Sequence, residues 1–235
     1  MDYFESLQQH IDDIYFVQVG AMDGKSRDPM FPMVQRYQWS GLLVEPRPDK
    51  FKLLQHHYKD HKKNIQFANV AIDQTCHTRP LYYIDDDIIK KHNLPYFCDG
   101  ISSFYLEQFK MELHAKTVEG TKQEIADFYK RCNSVLQDNV TQIPVKCVTL
   151  DQLIKTYNVP KIDILCIDVE GADFMVFNQL DFNQFKPYVI CIEIKHVTPQ
   201  ENKALTTKLK KQGYQLSLFQ ERDLVAVRPL ATTTK

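Results

Sequence analysis

Short apolar runs alternate with amphipathic segments along most of the chain. Seven runs have the length and apolar character of buried strands: IYFVQV, GLLVEP, NIQFANVAI, IDILCIDV, YVICIEI, YQLSLF and DLVAVR. Short, continuous apolar strands separated by amphipathic helices are typical of a parallel sheet that is covered on both faces. The pattern therefore predicts a doubly wound α/β fold with a mostly parallel sheet.

The segments between the apolar runs carry helix signals. In TPQENKALTTKLKKQG, Thr198 is a predicted N-cap, Pro199 occupies the first helical position and Gly213 follows the end. Asp28 and Pro29 predict another capped start, for a helix that runs toward Tyr37. Such helices would cover the two faces of the sheet.

The alternation of strand and helix stops between about residues 78 and 143. A hairpin-like segment, an acidic turn and two polar helical stretches occupy this region. We predict an insertion between the third and fourth core strands of a single domain over residues 1–235, with a frayed tail at about 230–235. The aromatic-rich segment PYFCDGISSFYLEQF within it is either a lid over a site or a surface loop with a small core of its own.

The charge balance narrows the classes of partner. The formal net charge is -1, from 29 basic and 30 acidic side chains, which provides no overall field to attract nucleic acid or an anionic membrane surface. A small molecule is the expected partner, while the oligomeric state is not indicated. The acidic N-terminal stretch lacks a leader pattern, and no run approaches the ~18 apolar residues of a membrane span. A cytoplasmic location is therefore expected.

The six cysteines show neither a CxxC pair nor the cysteine and histidine spacing of a zinc site. We expect buried, reduced thiols.

The turn after the first strand is the first candidate for chemistry. The chain has only 7 glycines, yet Gly20 and Gly24 both lie in the stretch YFVQVGAMDG. In open α/β sheets ligands bind at the carboxyl ends of strands. Gly20 can adopt positive φ and admit a ligand close to the backbone, and Asp23 can accept hydrogen bonds from an ammonium or a hydroxyl group. An ordinary strand-to-helix turn would look similar.

An acid at the end of the second strand favours a nucleoside ligand. Glu45 follows Gly24 by 21 residues, and dinucleotide-binding folds place an acid about 20 residues on to hold ribose hydroxyls. The spacing GxxxG lacks the GxGxxG pattern that accommodates a pyrophosphate. A nucleoside without a diphosphate is therefore predicted, and S-adenosylmethionine fits.

Polar residues also end the next two strands. Asn69 follows the third strand, where an adenine would lie if Glu45 holds the ribose, although a turn asparagine is the alternative. Asp168 and Glu170 leave the fourth strand before a helix, either as functional acids or as helix-capping carboxylates.

The fifth strand ends in Glu193, Lys195 and His196. Alternation with period two predicts that Glu193 and Lys195 lie on the same side. Five strands that end in polar residues predict a site along one edge of the sheet.

These motifs resemble the FkbM-type family of class I S-adenosylmethionine-dependent methyltransferases. The matching stretches are VQVGAMDG with GLLVEP, then NVAI, VTLDQLI, and IDILCIDVEGAD with YVICIEIKH, together spanning about residues 14–196. The resemblance implies a Rossmann-like class I methyltransferase fold with a seven-stranded sheet, and methylation of a hydroxyl of a sugar, polyketide or other natural product. A non-catalytic nucleoside-binding or protein-interaction module with the same fold is the alternative.

The resemblance also implies a division of the site. Cofactor contacts are implied for residues at the first four strand ends: Gly20, Ala21, Asp23 and Gly24 at the methionine part, Glu45 and Pro46 at the ribose, Asn69, Val70 and Ala71 at the adenine, and Asp168 near the reacting methyl group. Acceptor contacts are expected from Ser102, Ser103, Glu170 and Lys195. Where the family usually has a lysine before this acidic motif, the chain has Cys166.

A hydroxyl is a poor nucleophile until its proton is removed, so a base is expected beside the acceptor. Asp168, Glu193 and His196 are the candidates. Two carboxylates and an imidazole could instead hold a divalent metal that acidifies the hydroxyl. Because the motifs lack tight ligand spacing, catalysis by a base without a metal is the favoured prediction.

Overall fold

The computed structural model describes residues 2–109, 121–220 and 222–229. The chain divides into two compact units: unit 1 comprises residues 1–79 and 145–235, and unit 2 comprises residues 80–144. Unit 2 covers nearly the same stretch as the predicted insertion. Residues 110–120 of that insertion and the predicted tail, 230–235, lie outside the described residues.

The strands of the described residues are β1 (Tyr15–Val19), β2 (Ser40–Val44), β3 (Ile65–Ala68), β4 (Ala71–Ile72), β5 (His77–Ile84), β6 (Ser102–Ser103), β7 (Val140–Val148), β8 (Ile164–Ile167), β9 (Val189–Glu193), β10 (Gln215–Phe219) and β11 (Asp223–Val227). The α-helices are α1 (Asp2–Gln8), α2 (Phe31–Tyr37), α3 (Pro48–His57), α4 (Asp86–Lys91), α5 (Lys122–Asp138), α6 (Leu150–Thr156), α7 (Asp173–Asn178) and α8 (Pro199–Lys211).

Unit 1 is built on a sheet with the strand order β10-β11-β9-β8-β1-β2-β3. Strands β9, β8, β1, β2 and β3 pair in parallel, whereas β11 is antiparallel to both of its neighbours. The predicted α/β class is confirmed, and the sheet is mixed. The carboxyl ends of the five parallel strands lie along one edge of the sheet. Strand β11 begins at this same edge, because its first residue, Asp223, is paired with Glu193 at the end of β9.

Apolar side chains cover both faces of this sheet. Along β1, Tyr15, Val17 and Val19 belong to one apolar cluster, while Phe16, between Tyr15 and Val17, belongs to a second cluster. All five residues of β1 are buried. Burial on both faces favours apolar residues along the whole strand, and the one polar side chain within β1, that of Gln18, donates a hydrogen bond to Asp28.

Two helix starts differ in how well the sequence predicted them. Thr198 caps α8 through a reciprocal pair of hydrogen bonds with Glu201, so that start is confirmed. The predicted start at Asp28 is wrong, because α2 begins at Phe31. The carboxylate of Asp28 accepts hydrogen bonds from the Met30 amide and the Gln18 side chain, which hold the chain in a bend before the helix.

Unit 2 has an apolar core of its own, formed by side chains of β5, α4, α5 and the segments between them, among them Ile84, Cys98, Phe109 and Leu136. Two 3-10 helices, Tyr96–Gly100 and Leu106–Gln108, flank β6. No helix in the described ranges has the length and apolar content that a membrane crossing requires. The cysteines are free thiols as expected, but Cys76 is exposed and Cys166 and Cys191 are half-buried rather than buried.

Candidate active site

The turn after β1 is held between two neighbouring strands. The amides of Gly20 and Ala21 both donate to the carbonyl oxygen of Val44, at 3.0 and 2.9 Å. Gly20 has φ +85°, and a Cβ at this position would lie 1.7 Å from the carbonyl oxygen of Asp168. The missing side chain thus allows the ends of β1 and β8 to pack together. The sequence had suggested a close approach by a ligand at this position.

Gly24 and Asp23 shape the rest of this turn. Gly24 has φ +68°, and a Cβ there would lie 2.2 Å from a methyl carbon of Leu54 in α3. The carboxylate of Asp23 accepts hydrogen bonds from the Lys25 amide and from the amide and hydroxyl of Ser26, at 2.6–3.0 Å. Burial opposes ionisation, but these bonds together lower the pKa of Asp23. Its contact with a cofactor stays a prediction.

Glu45 lies at the carboxyl end of β2 and contacts the β1 turn. Its two carboxylate oxygens accept hydrogen bonds from the amides of Met22 and Arg47, each at 2.8 Å. The residue is 3% exposed. Burial raises the pKa of Glu45 to about 7, against the effect of the two amides. The carboxylate is therefore fixed in orientation and titrates near neutral pH.

Asn69 connects the ends of β2 and β3. Its side-chain amide donates to the carbonyl oxygens of Glu45 and Pro46, at 2.8 and 3.1 Å. The exposed Asn69 is followed by the half-buried Val70 and by Ala71, which is buried in β4. The structure thus places the predicted ribose and adenine residues side by side.

The turn after β8 carries three carboxylates. Its backbone is ordered by Asp173, which accepts hydrogen bonds from the amides of Val169 and Gly171 at 2.9 and 3.0 Å. Asp173, which the sequence did not single out, thus orders the turn, and the helix-capping alternative for Asp168 and Glu170 is wrong, because the N-cap of α7 is Ala172 without a side-chain cap hydrogen bond. Asp173 is buried, and burial raises its pKa to about 6.

Asp168 and Glu170 differ in their surroundings. Desolvation by the surrounding protein, followed by repulsion from Glu170 and Asp173, raises the pKa of Asp168. The side chain of Asp168 is 49% exposed, so water moderates this rise. Burial also opposes ionisation of Glu170, yet His196, Lys195 and Arg222 together lower its pKa. The histidine Nε2 lies 3.2 Å from a Glu170 oxygen.

Glu193 ends β9 as a buried carboxyl group, with 4% of the residue exposed. Burial, followed by repulsion from Asp168, Glu170 and Asp173, raises the pKa of Glu193 to about 10. Lys195, which was predicted to share a side with Glu193, is exposed. The strand ends at Glu193, and the alternation ends with it.

Arg222 is the main residue of this region that the sequence did not identify. It precedes β11, and its Nη2 lies 4.0 Å from Asp168 and 3.9 Å from Glu193. The signal was present in the two final apolar runs, because a hairpin that pairs against β9 brings its turn to the carboxyl end of that strand.

The predicted acceptor residues Ser102 and Ser103 belong to unit 2. They form β6, which pairs with Tyr83 and Tyr82 of β5. Ser103 is buried, and its hydroxyl accepts a hydrogen bond from the Tyr105 amide at 3.1 Å. Their role toward an acceptor stays a prediction.

Comparison with known proteins bears on the family. The model of the methyltransferase FkbM domain matches residues 18–216. No curated protein matches the chain. Among solved structures, a human methyltransferase 10 domain containing protein is similar at 10% identity and a TM-score of 0.42, over 97% of this chain and 79% of that one. Because the family model covers most of the sequence, including the strand ends described above, the chain belongs to the FkbM methyltransferase family.

Proposed function

We propose that the protein is an S-adenosylmethionine-dependent O-methyltransferase that acts on a hydroxyl of a small molecule, such as a sugar or natural product. One observation carries the proposal: the turn after β1 contacts two groups with different chemistry. Its Met22 amide holds Glu45, and its Gly20 packs on the backbone of Asp168. A cofactor with a ribose and a reactive methyl group needs both groups beside one turn.

The surroundings of Glu45 fit such a cofactor. Each carboxylate oxygen accepts one backbone amide, and a carboxylate oxygen can accept more than one hydrogen bond. The two hydroxyls of a ribose can therefore donate to a carboxylate whose orientation is already fixed. We further propose the seven-stranded class I arrangement for unit 1, with unit 2 as an insertion that selects the acceptor.

S-adenosylmethionine supplies a methyl group on a positively charged sulfur. The chain has to hold the acceptor oxygen near that methyl group and receive the proton of the hydroxyl. In the absence of a metal, Glu193 is protonated at neutral pH, since its pKa is about 10. Among the predicted bases, His196 therefore fits the role better; the pKa of Asp168 is raised as well, but water at its half-exposed side chain moderates the rise.

A binding titration followed by an activity assay tests the proposal. In calorimetry the protein should bind S-adenosylmethionine but not NAD. Labelled cofactor should then transfer its methyl group to a member of a panel of hydroxylated acceptors. Binding of neither cofactor would favour the non-catalytic module, and binding of NAD would favour a dehydrogenase.

The pH dependence of cofactor binding should follow the ionisation of the Glu45 carboxyl group. The ionised carboxylate accepts the ribose hydroxyls better than the protonated form does. With a pKa of about 7 in the free protein, the ionised fraction grows about tenfold from pH 6 to pH 8. Affinity should rise by about this factor over that range, as measured by calorimetry. In Glu45→Gln the dependence should be absent, and a slope that persists in the variant would assign it to another group.

Replacing Ser102 and Ser103 together with alanine should impair acceptor turnover more than cofactor affinity. The physical reason is that the hydroxyl of the half-buried Ser102 can hydrogen-bond a hydroxylated acceptor, while the buried Ser103 hydroxyl holds the Tyr105 amide beside it. The measurements are KM for the acceptor and the dissociation constant of the cofactor. A loss of cofactor affinity with acceptor use preserved would assign β6 to the cofactor.

A further inference from the structure

Three side chains with metal-binding atoms meet at the ends of β8 and β9. Glu170, Glu193 and His196 each place one such atom within 4.8 Å of those of the other two. Three donor atoms equally spaced around one ion at roughly 2.0–2.2 Å lie at most about 3.8 Å apart. The separations between the three groups would therefore have to shorten by up to about 1 Å to reach coordination distance.

One buried polar atom of this cluster has no hydrogen-bond partner. It is Oε2 of Glu193, a residue only 4% exposed, whereas Nε2 of His196 lies 3.2 Å from a Glu170 oxygen. Buried polar groups in folded proteins are nearly always satisfied, and each exception needs an explanation. Arg222 does not supply one, because its Nη2 lies 3.9 Å from the other oxygen of Glu193, beyond hydrogen-bonding distance. A cation bound by Glu193 would give this oxygen atom a partner.

The charges around the cluster favour a cation as that ligand. Glu193 is repelled by the carboxylates of Asp168, Glu170 and Asp173, and the nearby Lys195 offsets only part of this repulsion.

Arg222 faces the same group, but its side chain is half exposed and can move toward solvent. A divalent cation bound to Glu193 would offset the repulsion between Glu193 and the neighbouring carboxylates.

A second cluster with suitable atoms among the described residues, Asp73, His77 and Cys147, provides a contrast. Nη1 of Arg79 lies 2.8 Å from Asp73, so an internal cation already neutralises that carboxylate. His77 is therefore a matched control for His196.

We propose that Glu170, Glu193 and His196 bind one divalent transition-metal ion, for which Mn²⁺ is a suitable probe. Carboxylates suit Mn²⁺ and Mg²⁺, whereas the imidazole favours a transition metal over Mg²⁺ or Ca²⁺. Three protein ligands leave coordination positions open.

The role of the ion rests on the proposed function: it would stabilise negative charge that develops on the acceptor oxygen. His196 is then a ligand, and Asp168 is the remaining candidate to receive the proton. This assignment reverses the expectation from the sequence, which favoured a base without a metal.

The binding itself can be tested without activity. Protein treated with chelator and then dialysed is titrated with MnCl₂ by calorimetry and by electron paramagnetic resonance of Mn²⁺. Wild type should bind one ion per chain. Glu193→Gln should bind at least about 100-fold more weakly, since even the loss of a group that orients a ligand costs about 10–100-fold. His77→Ala should bind as wild type does.

Absence of stoichiometric binding in wild type, or unchanged affinity in Glu193→Gln, would overturn the inference. Glutamine keeps the shape of the neutral carboxyl group, and circular dichroism checks its fold. If that variant does not fold, Glu170→Gln takes its place in the same titration. Titration with S-adenosylmethionine in chelator separates the two proposals: binding of the cofactor without binding of Mn²⁺ refutes only the metal site, and the converse refutes only the proposed function.

Discussion

Replacing His196 with alanine is expected to lower kcat by about 10²–10⁴-fold, the range for loss of a positioned acid or base. S-adenosylmethionine affinity should be unchanged, because His196 lies at the end of β9 and the predicted ribose and adenine contacts lie at β2 and β3. The effect is expected whether His196 receives the proton or binds a metal, since either loss removes assistance to the acceptor oxygen. Rates at saturating cofactor and acceptor measure it.

His77→Ala is the control for this substitution and should retain the wild-type rate. A normal kcat in His196→Ala would exclude both roles and leave Asp168 as the residue to test. Addition of Mn²⁺ distinguishes the roles: chelator should abolish wild-type turnover and Mn²⁺ should restore it if the ion takes part. Turnover that survives chelator but not the loss of His196 would assign the histidine as the base.

Replacing Glu45 with alanine is expected to weaken S-adenosylmethionine binding by ~1.5–3 kcal/mol, the range for hydrogen bonds to a charged group. This corresponds to roughly 10–150-fold in the dissociation constant. The variant also leaves the amides of Met22 and Arg47 without their acceptor, so its melting temperature must be measured beside its affinity. Glu45→Gln, which retains one acceptor oxygen, should show a smaller loss.

Asp151→Ala provides a matched control, because Asp151 is an exposed carboxylate that pairs only with Lys155 on α6 among the contacts described. Exposed pairs of this kind contribute little to stability, and the affinity for the cofactor should not change. Wild-type affinity in a folded Glu45→Ala protein would remove the ribose assignment.

The sequence predicted what depends on local pattern. Continuous apolar runs identified the strands, since burial on both faces of a sheet favours apolar residues. The capping sequence at Thr198 located the start of α8. The position of Glu45 beside the β1 turn followed from the rule that parallel strands end at one edge, and the Met22 hydrogen bond shows them adjacent.

The parts that the sequence did not predict depend on contacts between distant segments. The role of Gly20 depends on the backbone of Asp168, far away in the chain. Arg222 reaches the carboxylates only because β11 pairs antiparallel with β9. The alternation that was expected to include Lys195 stops where β9 ends, at Glu193. The burial that raises the pKa of Glu193 leaves no pattern in the sequence near that residue.

The contact between Gly20 and the Asp168 carbonyl has a consequence for anyone who wishes to redesign this enzyme. Because no Cβ fits between the two strands, a library that varies position 20 would consist almost entirely of proteins in which β1 and β8 are displaced from each other. Such variants would lose cofactor affinity and methyl transfer at once, and a screen on product alone would report position 20 as catalytic. Selection for new acceptors is better directed at residues whose side chains can change without moving either strand.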